Sequence, residues 1–198
     1  MNGPVERWYF TRHAESEDNV LGRLSDDPEA PLSARGRDQA AALARTAAVL
    51  GPSQLWSSPM RRAQETAAPL AARLGLPVGT LEGLRERRLG AFTGRLRAEL
   101  GDGPDRDALL AWHPGPPGGE GLHAAALRAA EALAGLPDAP CRLIISHAGV
   151  LRALIGAIDR SPTAERGRLK IANAAPLYRA LPRGFMRILW DELRAELR

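Results

Sequence analysis

Two of the four histidines in this 198-residue chain stand directly after short apolar runs, and both settings suit chemistry on an anion. Phe10-Thr11-Arg12-His13-Ala14-Glu15 closes one run, and Ile144-Ile145-Ser146-His147-Ala148-Gly149 closes another. In an open parallel sheet the carboxyl ends of the strands share one crevice, so residues distant in sequence meet there. His147 also precedes a predicted helix start, whose free N–H groups and dipole attract negative charge. A lone histidine reads as a core or surface residue. Two at equivalent strand-end positions, one of them preceded by arginine, read as a site. The other two, His113 and His123, fall in or beside a segment rich in glycine and proline and read as surface or lid residues.

The elements that must position these residues alternate. Residues 7–10, 54–57, 77–81 and 142–146 read as strands, the last (Arg-Leu-Ile-Ile-Ser) as the most deeply buried. Residues 33–50 read as a long alanine-rich helix with Ser33 as its N-cap. A second helix is expected from Pro59 to about residue 74, closed by Gly75. Residues 124–134 and 150–158 are also helical. At the end, 177–181 and 185–190 predict a strand pair, with a terminal helix over 185–197 as the other reading. This alternation predicts one α/β domain over 1–198, with three layers and a mostly parallel central sheet flanked by helices. Residues 101–121 hold six glycines and four prolines, which predicts a loop-rich excursion rather than a linker, and such excursions often cover a site.

Composition narrows the function classes. Hydrophobic residues are 44% of the chain, enough for a sizeable core, and charged residues are 25%, an ordinary globular share. No run approaches the ~18 apolar residues of a membrane helix. The single cysteine, Cys141, has no internal partner, and no Cys/His metal spacing is visible. A cytoplasmic, metal-free protein is the simplest reading. The net charge of +4 favours anionic partners. Of 27 basic residues only Lys170 is lysine, and the arginines are scattered, with little aromatic interleaving, which argues against a nucleic-acid face.

Five blocks in order give the chain a family resemblance. Arg12-His13-Ala14-Glu15-Ser16 with Asn19 resembles the opening signature of the histidine phosphatase superfamily, the phosphoglycerate mutase-like proteins. Gly22-Arg23, the run Pro31-Leu32-Ser33-Ala34-Arg35-Gly36, and Gln39-Ala40 continue it. Ser57-Ser58-Pro59-Met60-Arg61-Arg62-Ala63-Gln64-Glu65-Thr66-Ala67 resembles the second block. Leu84-Arg85-Glu86 with Gly90-Ala91-Phe92-Thr93-Gly94 resembles the third, Pro117-Gly118-Gly119-Glu120 the fourth, and Ser146-His147-Ala148-Gly149-Val150-Leu151-Arg152 the fifth. Ala14 and Ala148 stand where the family most often has glycine, and Ser25-Asp26 replaces a more usual Gln-Gly pair; Asp26 or Asp27 would repel a second phosphate near the entrance.

The resemblance implies a phosphatase that phosphorylates its own His13 and then hydrolyses the phosphohistidine. Arg12, Arg62 and His147 would clamp the phosphoryl group, His147 most strongly when protonated, and Arg62 is taken over the adjacent Arg61 by family register. Glu86 would donate the leaving-group proton, with Glu120 as rival. Asn19 and Ala148 would contact the substrate. Trp112, in the expected lid over 94–122, either closes over an organic group or anchors the lid to the core. No cofactor or metal is implied. The expected partners are a small phosphate ester and, at most, a second copy of the chain in a homodimer, with neither nucleic acid nor membrane. A cofactor-dependent mutase is the alternative, although only 22 residues separate Gly94 from Pro117, short for that branch. A non-catalytic phospho-ligand binder on the same scaffold is a third reading, and retention of His13 and Glu86 argues against it.

Overall fold

The computed structural model describes residues 4–197. Five strands, β1 (Val5–Arg12), β2 (Gln54–Ser57), β3 (Val78–Thr80), β4 (Cys141–Ser146) and β5 (Leu177–Pro182), form one sheet in the order β3-β2-β4-β1-β5. The first four are parallel, and β5 runs antiparallel to β1. The helices are α1 (Glu17–Val20), α2 (Ala34–Leu50), α3 (Arg61–Leu74), α4 (Pro104–Leu110), α5 (Leu122–Ala134), α6 (Ala148–Ile158), α7 (Thr163–Arg166) and α8 (Phe185–Ala195).

Side-chain alternation along the strands divides the core into two layers. Trp8, Phe10 and Ile144 pack with α5, α6 and α8, while Leu55, Leu143 and Ile145 pack with α2 and α3. β4 lies in the middle of the sheet and is buried along its whole length, as its unbroken apolar sequence requires. This is the expected α/β domain.

Local signals set the ends of the elements. Ser33 caps α2 by accepting from Gly36 N at 2.9 Å. Gly75 closes α3 in the left-handed conformation, φ 66°. α3 begins at Arg61, so Pro59 stands before the helix rather than in its first turn. Residues 185–190 are helix, not strand. Their buried residues Met186, Leu189 and Leu193 recur at helical spacing, and Gly184, at φ 79°, turns the chain out of β5.

The excursion is more ordered than its glycine and proline content suggested. Pro104 opens α4, and Leu100 and Leu109 share a small apolar cluster with Leu24, Leu89 and Phe92. Among the described residues no helix is long and apolar enough to cross a membrane.

Candidate active site

Register brings the two histidines together. Arg12 of β1 pairs with Ser146 of β4, so the next residues, His13 and His147, leave neighbouring strand ends side by side. His13 N donates to Ser146 O at 2.9 Å, and the ring centroids are 5.1 Å apart. β2 ends beside them: Ser58 N donates to Ile145 O, and Ser58 Oγ lies 2.8 Å from His147 Nε2. α3 then carries Arg62 into the same crevice.

The tautomer of His13 follows from its partners. Nδ1 lies 2.6 Å from Ala14 O, a carbonyl that only accepts, so Nδ1 carries the proton and Nε2 bears the lone pair. Arg62 Nε donates to that Nε2 at 3.3 Å. Burial, with Arg12 and Arg62 adding to it, holds the His13 pKa well below the usual histidine range. The ring is therefore a neutral base aimed at the space the arginines surround. His147 is also driven well below the usual range, by burial first and then by Arg62, His13 and Arg12. The same causes that keep the His13 ring neutral therefore keep His147 neutral.

Arginines form the walls. Arg62 is 3% exposed and donates to Asp27 O at 2.7 Å and Ser25 O at 3.3 Å, whereas Arg61 points outward to Glu65 at 2.7 Å. This is the division the family register expected. Arg12 reaches Ile171 O at 3.4 Å, and its Nε is buried without a partner among the described residues. Burial lowers the Arg12 pKa to about 10, with Glu86 opposing and Arg152, Arg97 and Arg62 reinforcing.

Glu86 follows a short 3-10 turn and faces the start of α6 across the crevice. Its Oε2 accepts from Gly149 N at 3.2 Å and its Oε1 from Arg87 N at 3.0 Å. Gly149 makes that approach possible, since a Cβ there would sit 2.5 Å from Glu86 Oε1. Glu120, the rival acid, has both carboxylate oxygens on Arg128 at 2.8 and 2.9 Å and does not line the crevice. Asn19 lines it and also completes a capping box with Ser16. Ala148 lines it, and neither Ala14 nor Ala148 has positive φ, so the methyl in place of glycine imposes no backbone strain.

Trp112 does not reach the crevice. It is 9% exposed, belongs to the core, and donates Nε1–H to Glu196 at 3.0 Å while Arg166 stacks 4.2 Å above its ring. It anchors the excursion, which is the second of its two readings. His123 is buried rather than superficial, and its Nε2 lies 2.9 Å from Leu193 O. His113, His123 and Glu196 group within 4.8 Å of one another, a set with metal-ligand chemistry that the sequence spacing did not suggest. The bonds of His123 to Leu193 and of Glu196 to Trp112 already engage two of the three in that anchor.

Several crevice residues had no role in the sequence reading. Arg87 is buried and donates to Glu120 O at 3.0 Å and to Leu109 O, tying the excursion to the loop that bears Glu86. Asn173 Nδ2 donates to His13 O at 2.8 Å and Asn19 Oδ1 at 3.2 Å. Arg23, Arg97 and Arg152 complete the lining. Arg87 adjoins Glu86, and Arg152 lies one helical turn after Ala148, which are the signals that point to them. Asn173 offered none.

Fold and crevice together set two strand-end histidines among arginines, an arrangement suited to a phosphoryl group. The sequence profile of the histidine phosphatase superfamily (branch 1) matches residues 8–178, and the chain belongs to that family. It is 33% identical over 176 residues to the glucosyl-3-phosphoglycerate phosphatase of Mycobacterium tuberculosis, covering 81% of this chain and 78% of that protein. It is 30% identical over 174 residues to a protein of Enterobacter named "Probable phosphoglycerate mutase GpmB", covering 84% and 81%. Among solved structures, a mycobacterial glucosyl-3-phosphoglycerate phosphatase complexed with VO3 superposes with a TM-score of 0.78 at 28% identity, over 89% of this chain and 98% of that one. The alpha-ribazole phosphatase of Shigella flexneri gives 0.74 at 28%, over 90% and 92%. The chain is a phosphoric monoester hydrolase of this family.

Proposed function

We propose that the enzyme hydrolyses small-molecule phosphate monoesters in two displacements at His13. Nε2 attacks phosphorus in line, the N–P bond forms, the ester P–O bond breaks, and protonated Glu86 gives its proton to the departing alkoxide. Water then attacks the phosphohistidine, Glu86 takes its proton, and the N–P bond breaks to release phosphate. Arg12 and Arg62 grip the equatorial oxygens as planar forks, and His147 becomes a cation as the dianion enters beside it. Asn19 and Ala148 border the bound group. The observation that carries this reading is the setting of His13: Nδ1 lies 2.6 Å from Ala14 O, which leaves Nε2 as the lone-pair nitrogen, and Nε2 faces Arg62 at 3.3 Å in a crevice that Arg12 also lines. Positive charge comes from arginine, so no metal or cofactor is invoked, and a chelator should leave turnover intact. A cytoplasmic location and the absence of a nucleic-acid partner rest on composition, and any self-assembly would be a homodimer.

The test is chemical trapping. Enzyme denatured in alkali during turnover should yield a base-stable, acid-labile phosphohistidine from the wild type and none from His13→Ala. Glu86→Gln should slow alkyl phosphates by ~10²-fold or more while sparing nitrophenyl phosphate, whose leaving group needs little protonation. Full activity in folded His13→Ala, or equal slowing of both esters by Glu86→Gln, would remove these assignments. The likeness to a protein named a mutase supports one further assay, interconversion of phosphoglycerates, in which hydrolysis should dominate.

A further inference from the structure

Away from the crevice, three side chains with ligating atoms meet where the excursion rests on the helices. His113 belongs to the excursion, His123 lies in the first turn of α5, and Glu196 follows the last residue of α8. One ring nitrogen of each histidine and one carboxylate oxygen of Glu196 lie within 4.8 Å of one another. The imidazole centroids are 4.3 Å apart and the ring planes meet at 40°. None of the three lines the crevice.

The plain account is an anchor whose polar atoms are all spent, and His123 contradicts it. Its Nε2 lies 2.9 Å from Leu193 O, a carbonyl that only accepts, so Nε2 carries the proton and the lone pair is at Nδ1. His123 is 1% exposed, and that Nδ1 is buried without a hydrogen-bond partner among the described residues. A buried acceptor left unmet is unfavourable and calls for an explanation. The hydrogen bonds already present are of the kind that orients metal ligands. A metal-bound imidazole gives its second N–H to a backbone carbonyl, as His123 does to Leu193. A ligating carboxylate is itself hydrogen-bonded, as Glu196 Oε2 is by Trp112 Nε1 at 3.0 Å, and one such bond leaves most of its lone-pair sites unused. The opposing charge is Arg166, stacked 4.2 Å over Trp112. Burial lowers its pKa and Glu196 opposes that, so the two charges sense one another, and Arg166 weakens the group for cations without filling it.

We propose that His113, His123 and Glu196 bind a divalent transition-metal ion of the zinc class, with two imidazole nitrogens and one carboxylate oxygen as ligands and water completing the shell. His113 and Glu196 are exposed, so the ion enters from solvent. It would join the excursion to α5 and to the end of α8. Its role is to hold those segments together, and the chemistry at His13 proceeds without it.

Co²⁺ added to the metal-stripped, tag-free chain is the probe, because its visible absorption reports the ligands around it. One equivalent should bind to wild type and equally to His13→Asn, which removes the crevice as its source. His113→Asn and Glu196→Gln, both at exposed positions, should each weaken binding by at least about 100-fold, since losing even an outer partner of a ligand costs about 10–100-fold. Zn²⁺ should displace the Co²⁺ and Mg²⁺ should not. Zn²⁺ should also raise the thermal midpoint of wild type and leave that of His113→Asn unmoved, while kcat/KM of the two stripped proteins agrees. Failure of wild type to bind Co²⁺ overturns the site. So does binding that survives both substitutions, and so does binding lost in His13→Asn, which would put the ion in the crevice.

Discussion

The two ends of the central sheet both bury arginine, and they treat its charge in opposite ways. At the amino end Arg142 of β4 is 2% exposed and donates to Glu6 at 2.6 Å, Gln54 at 3.2 Å, Pro137 O at 2.6 Å and Ala139 O at 3.3 Å. Its guanidinium lies 4.4 Å over Trp8, whose Nε1 donates to the same Glu6 carboxylate. At the carboxyl end Arg12, Arg62, Arg87 and Arg152 direct their oxygen-bound donors to backbone carbonyls alone, and Glu86 is the one carboxylate lining the crevice. A buried ion is costly unless compensated. Where the fold supplies the counterion the arginine is structural. Where it withholds one, the proposed mechanism takes the missing charge from the substrate.

The largest effects should separate the two ends cleanly. Glu6→Ala leaves Arg142 buried without its counterion, which should cost ~3–5 kcal/mol of stability, read from chemical denaturation. Its kcat/KM should match wild type wherever the variant is folded. Arg12→Met should do the reverse: kcat/KM should fall ~10²–10³-fold while stability holds or rises, because only one long hydrogen bond is lost and a repelled cation disappears. A comparable stability loss in both variants would end the distinction.

The sequence revealed this contrast only at one end. His13 and His147 were legible because each follows an apolar run, and strand ends in a parallel sheet converge. Ser33, Gly75 and β4 were legible because capping, left-handed closure and full burial are local properties. The Glu6–Arg142 pair spans 136 positions, and nothing near either residue announces the other. Arg97 looks like any other arginine in a chain this rich in them, since only its place in the crevice sets it apart, and Arg87 and Arg152 offered no more than their spacing from Glu86 and Ala148. α4 and the core position of Trp112 were hidden by glycine and proline, which mark bends but do not say whether a segment folds back on a small apolar cluster. α8 was ambiguous because a short run of large apolar residues fits either period until its packing partner is known.

Ligand binding should sharpen the comparison at intermediate magnitude. Inorganic phosphate or vanadate would supply the charge the carboxyl end lacks. At a concentration 100-fold above the dissociation constant it should add ~2.7 kcal/mol of stability. Glu6→Ala should keep that increment on a lower baseline, and Arg12→Met should lose most of it. An equal increment in both variants would place the bound anion outside the crevice.

The smallest expected effect is a pH dependence belonging to the carboxyl end. His13 and His147 are held neutral by burial and by the arginines, with pKa values well below the usual range. An unfolded histidine titrates near 6.5. Between the folded values and about 6.5 the unfolded chain therefore binds more protons, so stability rises with pH in that window. The stability present above about 6.5 is lost progressively as pH falls through it, by at most ~1.4 kcal/mol per pH unit for each histidine. His123, also lowered by burial, adds to the slope from outside the crevice. Denaturation midpoints between pH 7 and 5 should follow this slope in the wild type and a shallower one in His13→Asn. Saturating phosphate should flatten it too, because a dianion beside the imidazoles favours their charged forms. Glu6→Ala should leave the slope alone. If His13→Asn titrates like wild type, the depression of the nucleophile does not arise from its crevice, and the neutral His13 in the proposed mechanism needs another origin.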